Sequence, residues 1–202
     1  MELIQLRNCM KKTLTESRYQ HSLGVEEVSC DLALIYGYDM DKACIAGILH
    51  DCAKCLTEEQ LIYECNQYHL PVKEIEMQRK QLLHAKVGAA YARFLYEVED
   101  ESILNAITYH CTGRPAMSLL EKIIFTADYI EPYRKQLPGL EEIRRAAYED
   151  LDQAVYMILK NTLLYLQKTG AVIDTLTNET YEYYKTKGDC NGQFKNNDTF
   201  SL

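Results

Sequence analysis

Residues 15–37 read TESRYQHSLGVEEVSCDLALIYG, and their periodicity is that of a helix rather than a strand. Thr15 is a candidate N-cap, Tyr19, Leu23, Val28, Leu32 and Ile35 recur at helical intervals, and Gly37 supplies a stop. The same grammar runs outward in both directions. Met1 to Leu14 mixes Glu2, Arg7, Lys11 and Lys12 among apolar residues, which predicts an amphipathic helix rather than a signal peptide. Asp39 or Asp41 can cap a helix carrying Ala43, Ile45, Ala46, Ile48 and Leu49. Thr57 with Gln60 and Ser118 with Glu121 form capping boxes, the first opening a helix that fades before Pro71. Further helices are predicted from Leu83 to Leu95, behind Asp100, around Ile143 after the Pro138-Gly139 break, and from Asp150 to Gly170. A short one follows Thr177.

Nine Gly and four Pro in 202 residues disfavour a turn-rich all-β architecture. The expectation is an all-α bundle of about eight to ten helices, forming a single domain over residues 1–187. The polar, aperiodic stretch 188–202 is expected to be a mobile tail. A hydrophobic share of 47% with 26% charged residues is globular rather than disordered composition. Thirty acidic against 22 basic residues give a net charge of -8, which argues against a protein built to neutralise a nucleic-acid backbone. A small phosphate-bearing ligand stays open, because a bound metal inverts local charge. No apolar run reaches membrane-spanning length, so a cytoplasmic chain with no membrane partner is expected; a homo-oligomer is compatible with the sequence. The eight cysteines, without a secretion signal, are expected to be reduced. Cys52 and Cys55 form a Cys-x-x-Cys without the second pair a structural zinc site wants, and they read as two small thiols at a helix end.

Four of the five histidines sit among apolar helical neighbours, where an unsatisfied polar group is costly. His21 lies in the helix quoted above, His50 and Asp51 are adjacent within Gly47-Ile48-Leu49-His50-Asp51-Cys52-Ala53-Lys54, and His84, His110 and Asp128 follow on separate predicted helices. Neighbouring helix positions point about 100° apart, so His50 and Asp51 can grip one cation from two sides. Imidazole plus carboxylate suits iron, manganese, cobalt or zinc rather than calcium. A shared metal centre accounts for four histidines and two aspartates better than six separate structural roles do. His69, beside Pro71, reads as a loop histidine.

The order His21, His50-Asp51, His84, His110, Asp128 resembles the HD-domain metal-dependent phosphohydrolases, an all-helical superfamily. The resemblance extends to the YqeK family of symmetrical bis(5′-nucleosyl)-tetraphosphatases. It is carried by His21-Ser22-Leu23-Gly24-Val25, Gly47-Ile48-Leu49-His50-Asp51-Cys52-Ala53-Lys54, Tyr109-His110-Cys111-Thr112-Gly113-Arg114-Pro115-Ala116-Met117-Ser118 and Ala127-Asp128-Tyr129-Ile130-Glu131-Pro132-Tyr133-Arg134 with Leu137-Pro138-Gly139. It implies an ion, iron first, held by His21, His50, Asp51 and Asp128, with manganese, cobalt or zinc as substitutes. It also implies nucleotide contacts from Gly24, His84, His110 and Arg134 and from a loop at Ile173-Asp174-Thr175-Leu176-Thr177-Asn178. That loop departs from a pattern that often carries His-Pro; Asp174 would repel phosphate unless it turns away.

The chemistry of the same residues runs parallel to the resemblance. A bound ion lowers the pKa of its water. Asp51 would be the central ligand, bridging two ions if His84 and His110 hold a second; otherwise those histidines would hydrogen-bond phosphate oxygens. Lys54, one turn beyond Asp51, could offset phosphate charge in catalysis, or be a solvated helix-end lysine. Gly24, one turn after His21, would leave room for a nucleotide or ease helix packing. Arg134 offers a forked donor suited to phosphate. One of the sixteen tyrosines could stack on adenine. The expected reaction is cleavage of diadenosine tetraphosphate into two ADP, with ADP or GDP binding tightly as product. Rivals are another HD-type nucleotidase or cyclic-dinucleotide phosphodiesterase, and a catalytically silent nucleotide-binding module.

Overall fold

The computed structural model describes residues 1–190. They form eleven α-helices, no strands and one 3-10 turn at Lys80–Leu82: α1 (Leu3–Thr13), α2 (Glu16–Ile35), α3 (Met40–Leu49), α4 (Glu58–Gln67), α5 (Glu74–Gln78), α6 (Leu83–Phe94), α7 (Glu101–Tyr109), α8 (Leu119–Ile130), α9 (Leu140–Glu149), α10 (Leu151–Thr169) and α11 (Thr175–Cys190). The predicted caps hold. Thr15, Asp39, Thr57, Asp100, Ser118 and Asp150 each accept a backbone N–H from the first turn of the helix they open. Gly37 and Gly170 sit in the left-handed region past the ends of α2 and α10.

Helix α5 and the turn after it lie outside the sequence expectation. Five residues are too short for a periodic signal. They are held instead by the buried Glu76, which accepts from Lys73 N at 2.8 Å and pairs with Lys86 on α6 at 2.7 Å. α11 is longer than expected and starts at Thr175, because Asp174 takes up the Leu176 N–H at 2.8 Å. The helix reaches Cys190, three residues past the predicted domain edge at 187, and the rest of the predicted tail lies outside the described residues.

The long helices α2 and α8 pack together, with α3 and α7 against them on one side and α9 and α10 on the other. Leu32, Ile48, Leu49, Ile107, Leu120, Ile123, Ile124 and Leu159 fill the main core, and a smaller cluster of Ala53, Leu61, Cys65, Leu83 and Val87 fastens α4 to α6. Arg7 ties α1 to α2 by donating to the buried Glu26 carboxylate at 3.0 Å. α2 and α3 approach so closely that Cys30 and Cys44 are joined as a disulfide, with Cα atoms 5.6 Å apart, which corrects the expectation of eight reduced thiols. Cys52 and Cys55 do not act together: the first is buried and its thiol points to the Gly88 carbonyl, and the second is exposed. Among the described residues no helix is long and apolar enough to cross a membrane.

The α2–α3 crossing depends on Gly47. A Cβ there would stand 2.9 Å from Glu26 Cα and 3.1 Å from Ser29 Oγ. Overpacking of this kind costs about 1–3 kcal/mol. Alanine would recover up to about 1 kcal/mol through helix propensity, whereas valine recovers little. Gly47→Val is expected to lower stability by about 1–3 kcal/mol and to be worse than Gly47→Ala, as measured by denaturant unfolding.

Candidate metal centre and cavity

Three of the four histidines are oriented by the backbone just before them. His50 and His110 are the C-caps of α3 and α7, where carbonyls lack helical partners. Their Nδ1 atoms meet the carbonyls of Gly47 and Ile107, each three residues earlier and each at 2.7 Å. His84, in the first turn of α6, meets the Gln81 carbonyl in the same way. A carbonyl only accepts, so each Nδ1 carries the proton, and in the neutral ring each Nε2 presents a lone pair. His21, inside α2, uses a distant partner: its Nδ1 lies 3.1 Å from Glu131 Oε1, just past the end of α8.

All four Nε2 atoms face the carboxylates of Asp51 and Asp128. His21 Nε2 is 3.3 Å from His50 Nε2, and His84 Nε2 is 3.2 Å from His110 Nε2. Asp51 lies between the two pairs. Its Oδ2 is 3.7 Å from His21 and 3.4 Å from His50, and its Oδ1 is 3.0 Å from His84 and 3.5 Å from His110. Asp128 Oδ1 completes the first half, 3.1 Å from His21 Nε2 and 3.9 Å from His50 Nε2. Lone pairs and carboxylates brought this close, away from water, require positive charge between them. Asp51 Oδ1 is buried and has no partner in hydrogen-bond geometry. Nitrogen and carboxylate donors converging on one buried point fit a divalent transition-metal ion.

Protons answer part of that demand. Burial opposes charge on His21, but hydrogen bonds to Asp128 and Glu131 outweigh it and push its pKa up to about 9. Burial likewise opposes charge on His84, and Cys111 and Asp51 push it up to about 9. Asp51, despite its burial, is held well below the usual carboxylate range by the facing imidazoles, and Asp128 is held low chiefly by His21.

The centre floors a cavity of about 1000 Å³ that His21, His84, His110 and Asp128 line directly. Lys54 and Arg134, both expected at the site, line it too. Lys54 is not on a helix, because α3 ends at Leu49 and residues 51–55 continue as tight turns. It nevertheless reaches His84 Nε2 at 3.1 Å. Arg134 places its guanidinium 5.7 Å from the Tyr129 ring centre, and its Nε is buried without a partner. Gly24 is not among the lining residues. A Cβ there would stand 2.9 Å from Glu131 Oε2 and 3.1 Å from the Tyr133 ring, so the glycine admits the segment that orients His21. Ile173, Asp174, Thr175, Leu176, Thr177 and Asn178 do not line the cavity either, and from Thr175 onward they are helix rather than loop. Asp174 turns inward as a cap. Arg79, which lines the cavity, donates to the carbonyl of Val172, the residue just before this segment, at 3.0 Å.

The HD domain family matches residues 18–133, more than half of the chain. The chain belongs to the HD domain family. A bis(5′-nucleosyl)-tetraphosphatase, symmetrical, of Halalkalibacterium halodurans is 46% identical over 172 residues, covering 85% of this chain and 91% of the relative. A protein of the same description from Bacillus subtilis is 42% identical over 175 residues, covering 87% and 93%. A crystal structure of a protein from Clostridium acetobutylicum, described as a predicted HD superfamily hydrolase involved in NAD metabolism, superposes with a TM-score of 0.89. It is 40% identical and covers 93% of this chain and 98% of that one.

Three side chains of this HD domain escaped sequence reasoning. Arg18 donates to Asp51 Oδ2 at 2.7 Å, Glu131 orients His21, and Cys111 places its sulfur beside His84 and His110. Nothing local marks Arg18 or Glu131, whose partners are 33 and 110 residues away. Only the adjacency of Cys111 to His110 was visible.

Two outcomes follow for this HD domain. His21 and His84 hold protons to about pH 9 when folded, against an ordinary value of 6.5. A raised pKa stabilises the fold fully below the ordinary value and loses its effect as pH rises through the folded value. The melting temperature of chelator-stripped protein is therefore expected to fall between about pH 6.5 and 9, and saturating divalent metal should remove that decline. Glu131→Gln should weaken metal binding by about 10–100-fold, the usual effect of losing a carboxylate behind a ligating histidine, measured by metal titration.

Proposed function

We propose that the chain is a metal-dependent hydrolase that cuts dinucleoside tetraphosphates symmetrically, diadenosine tetraphosphate into two ADP. The observation that carries the reading is the charge of the cavity wall. In a protein of net charge -8, six cationic side chains (Arg18, Lys54, Arg79, Arg134, Lys135 and Lys168) line the space above the centre. The two carboxylates lining it, Asp128 and Glu131, are both engaged with His21. A cation-rich cleft on an acidic protein selects a polyanion. The names of the curated relatives supply the substrate class.

In this reading His21, His50, Asp51 and Asp128 hold the ion, iron first among iron, manganese, cobalt and zinc. When bound, the ion supplies a Lewis acid and an acidified water at neutral pH. Asp51 keeps its charge through the facing imidazoles, and Glu131 keeps His21 turned toward Asp128. His84 and His110 face the phosphate chain from the other half of the centre. Arg134, with an unpartnered Nε, and Lys54 neutralise phosphate oxygens, and Arg18 can exchange Asp51 for the incoming phosphate. Of the sixteen tyrosines, Tyr129, Tyr133 and Tyr165 line the cavity and are the candidates for stacking on a base. A symmetrical cut places the water oxygen on one of the two central phosphorus atoms, and the other half leaves with the bridging oxygen.

Chromatography of the products tests this. Metal-loaded protein should convert diadenosine tetraphosphate to ADP alone, and equal ATP and AMP would refute the symmetrical cut. His50→Ala and Asp51→Ala should each lose bound metal and turnover while keeping a helical circular-dichroism spectrum.

A further inference from the structure

Behind the carboxylate that aims His21 stands an arginine that the proposed reaction does not use. Arg144, on α9, donates from Nε to the Ile130 carbonyl and from Nη2 to the Glu131 carbonyl, both at 3.0 Å. These carbonyls lie at the end of α8, where helical partners run out. Pro132 follows, has no N–H to give, and stops the helix there. Ile130 and Glu131 are 3% and 2% exposed, so water is poorly placed to stand in for the guanidinium.

The turn that Arg144 holds carries three groups of the site. Asp128, in the last turn of α8, has Oδ1 3.1 Å from His21 Nε2, and Glu131 Oε1 meets the other nitrogen of the same ring at 3.1 Å. Glu131 Oε2 accepts the Tyr133 N–H at 2.6 Å, and the Glu131 carbonyl accepts the Arg134 N–H at 3.1 Å. The turn therefore runs straight into the arginine that lines the cavity.

We infer that Arg144 is a positioning residue for the metal centre: its forked grip on the end of α8 keeps Asp128 and Glu131 on opposite nitrogens of His21, in register for one ion. The inference deepens the proposed function and rests on its assignment of the ion to His21, His50, Asp51 and Asp128.

The fork matters beyond its charge. A cation of either kind is favoured at a helix C-terminus. Two N–H groups of one planar guanidinium fix both the place and the direction of two carbonyls, whereas an ammonium is a point charge on a flexible stem. Helix α9 gives the fork a firm base, because Leu140, Ile143 and Ala147 are buried in the main core and Arg144 follows Ile143 directly. The remaining nitrogen, Nη1, reaches Glu141 Oε1 at 2.8 Å, an exposed pair of the kind that contributes little. Precision is what the centre needs: functional groups must be held within about 0.5 Å of their working geometry, and helix ends fray.

Plain fastening of α8 to α9 is the competing role. It is disfavoured because α8 is secured elsewhere: Leu120, Ile123 and Ile124 are fully buried, and Lys122 donates to Asp152 of α10 at 2.8 Å. Arg144 instead grips the turn from which the site residues project.

Cobalt(II) titration of the chelator-stripped full chain, followed by equilibrium dialysis and visible absorption, is the test. Arg144→Met keeps the stem and removes the fork. It should weaken cobalt binding about tenfold, the low end of the loss when support behind a ligand is removed, and change the absorption of the bound ion. Arg144→Lys should recover part of that affinity. Glu141→Gln, which removes only the exposed partner, should bind cobalt like the wild type. Lys122→Met loosens the same helix at its other end, and it should lower the melting temperature without changing cobalt affinity. Wild-type affinity in either Arg144 variant, or an equal loss in Lys122→Met, overturns the inference. If that happens while the loaded wild type still cuts the tetraphosphate symmetrically, the proposed function stands without it. Weakened binding confined to the Arg144 variants, with no cleavage by the loaded wild type, overturns the proposed function and leaves Arg144 in its role.

Discussion

A single buried carboxylate organises the molecule. Asp51 is removed from water, stays ionised, and faces an imidazole nitrogen from each of four directions. Desolvating a charge costs several kcal/mol unless opposite charge is delivered to it. Protonated histidines deliver it in part, Arg18 and Lys54 add to it from the cavity side, and a divalent ion meets the demand most fully. The helices around it make this convergence possible, since His21, the adjacent His50 and Asp51, His84, His110 and Asp128 come from five separate parts of the chain.

The scaffold delivers most of these groups through helix ends, His21 inside α2 being the exception. α3 and α7 both stop at the residue before a histidine, and the stop frees the carbonyl that orients the ring. α8 carries Asp128 in its last turn and hands on to Glu131 immediately beyond it. Glycine at position 24 lets that handover lie flat against α2.

The helical architecture was legible because its signals are local. Caps at Thr15, Asp39, Thr57, Ser118 and Asp150 each act within three residues, and the sequence shows both partners. The gathering of His21, His50, Asp51, His84, His110 and Asp128 was legible for a different reason: polar groups in apolar helices must find partners, and these could find one another. What stayed hidden depends on distance along the chain. The helix at Glu74–Gln78 is made by a buried ion pair to α6, Glu131 reaches back 110 residues to His21, and the Cys30–Cys44 link needs two helices to cross. Residues 173–178 read as a binding loop by analogy, whereas Asp174 accepts the Leu176 N–H at the start of α11 and none of the six lines the cavity.

Three rings that take their tautomer from a carbonyl three positions earlier depend on nothing beyond their own turn of chain. The walls facing the substrate come from other segments, chiefly α10 and the stretch after α8. The aim of these three rings and the make-up of those walls are therefore set by largely different stretches of the chain.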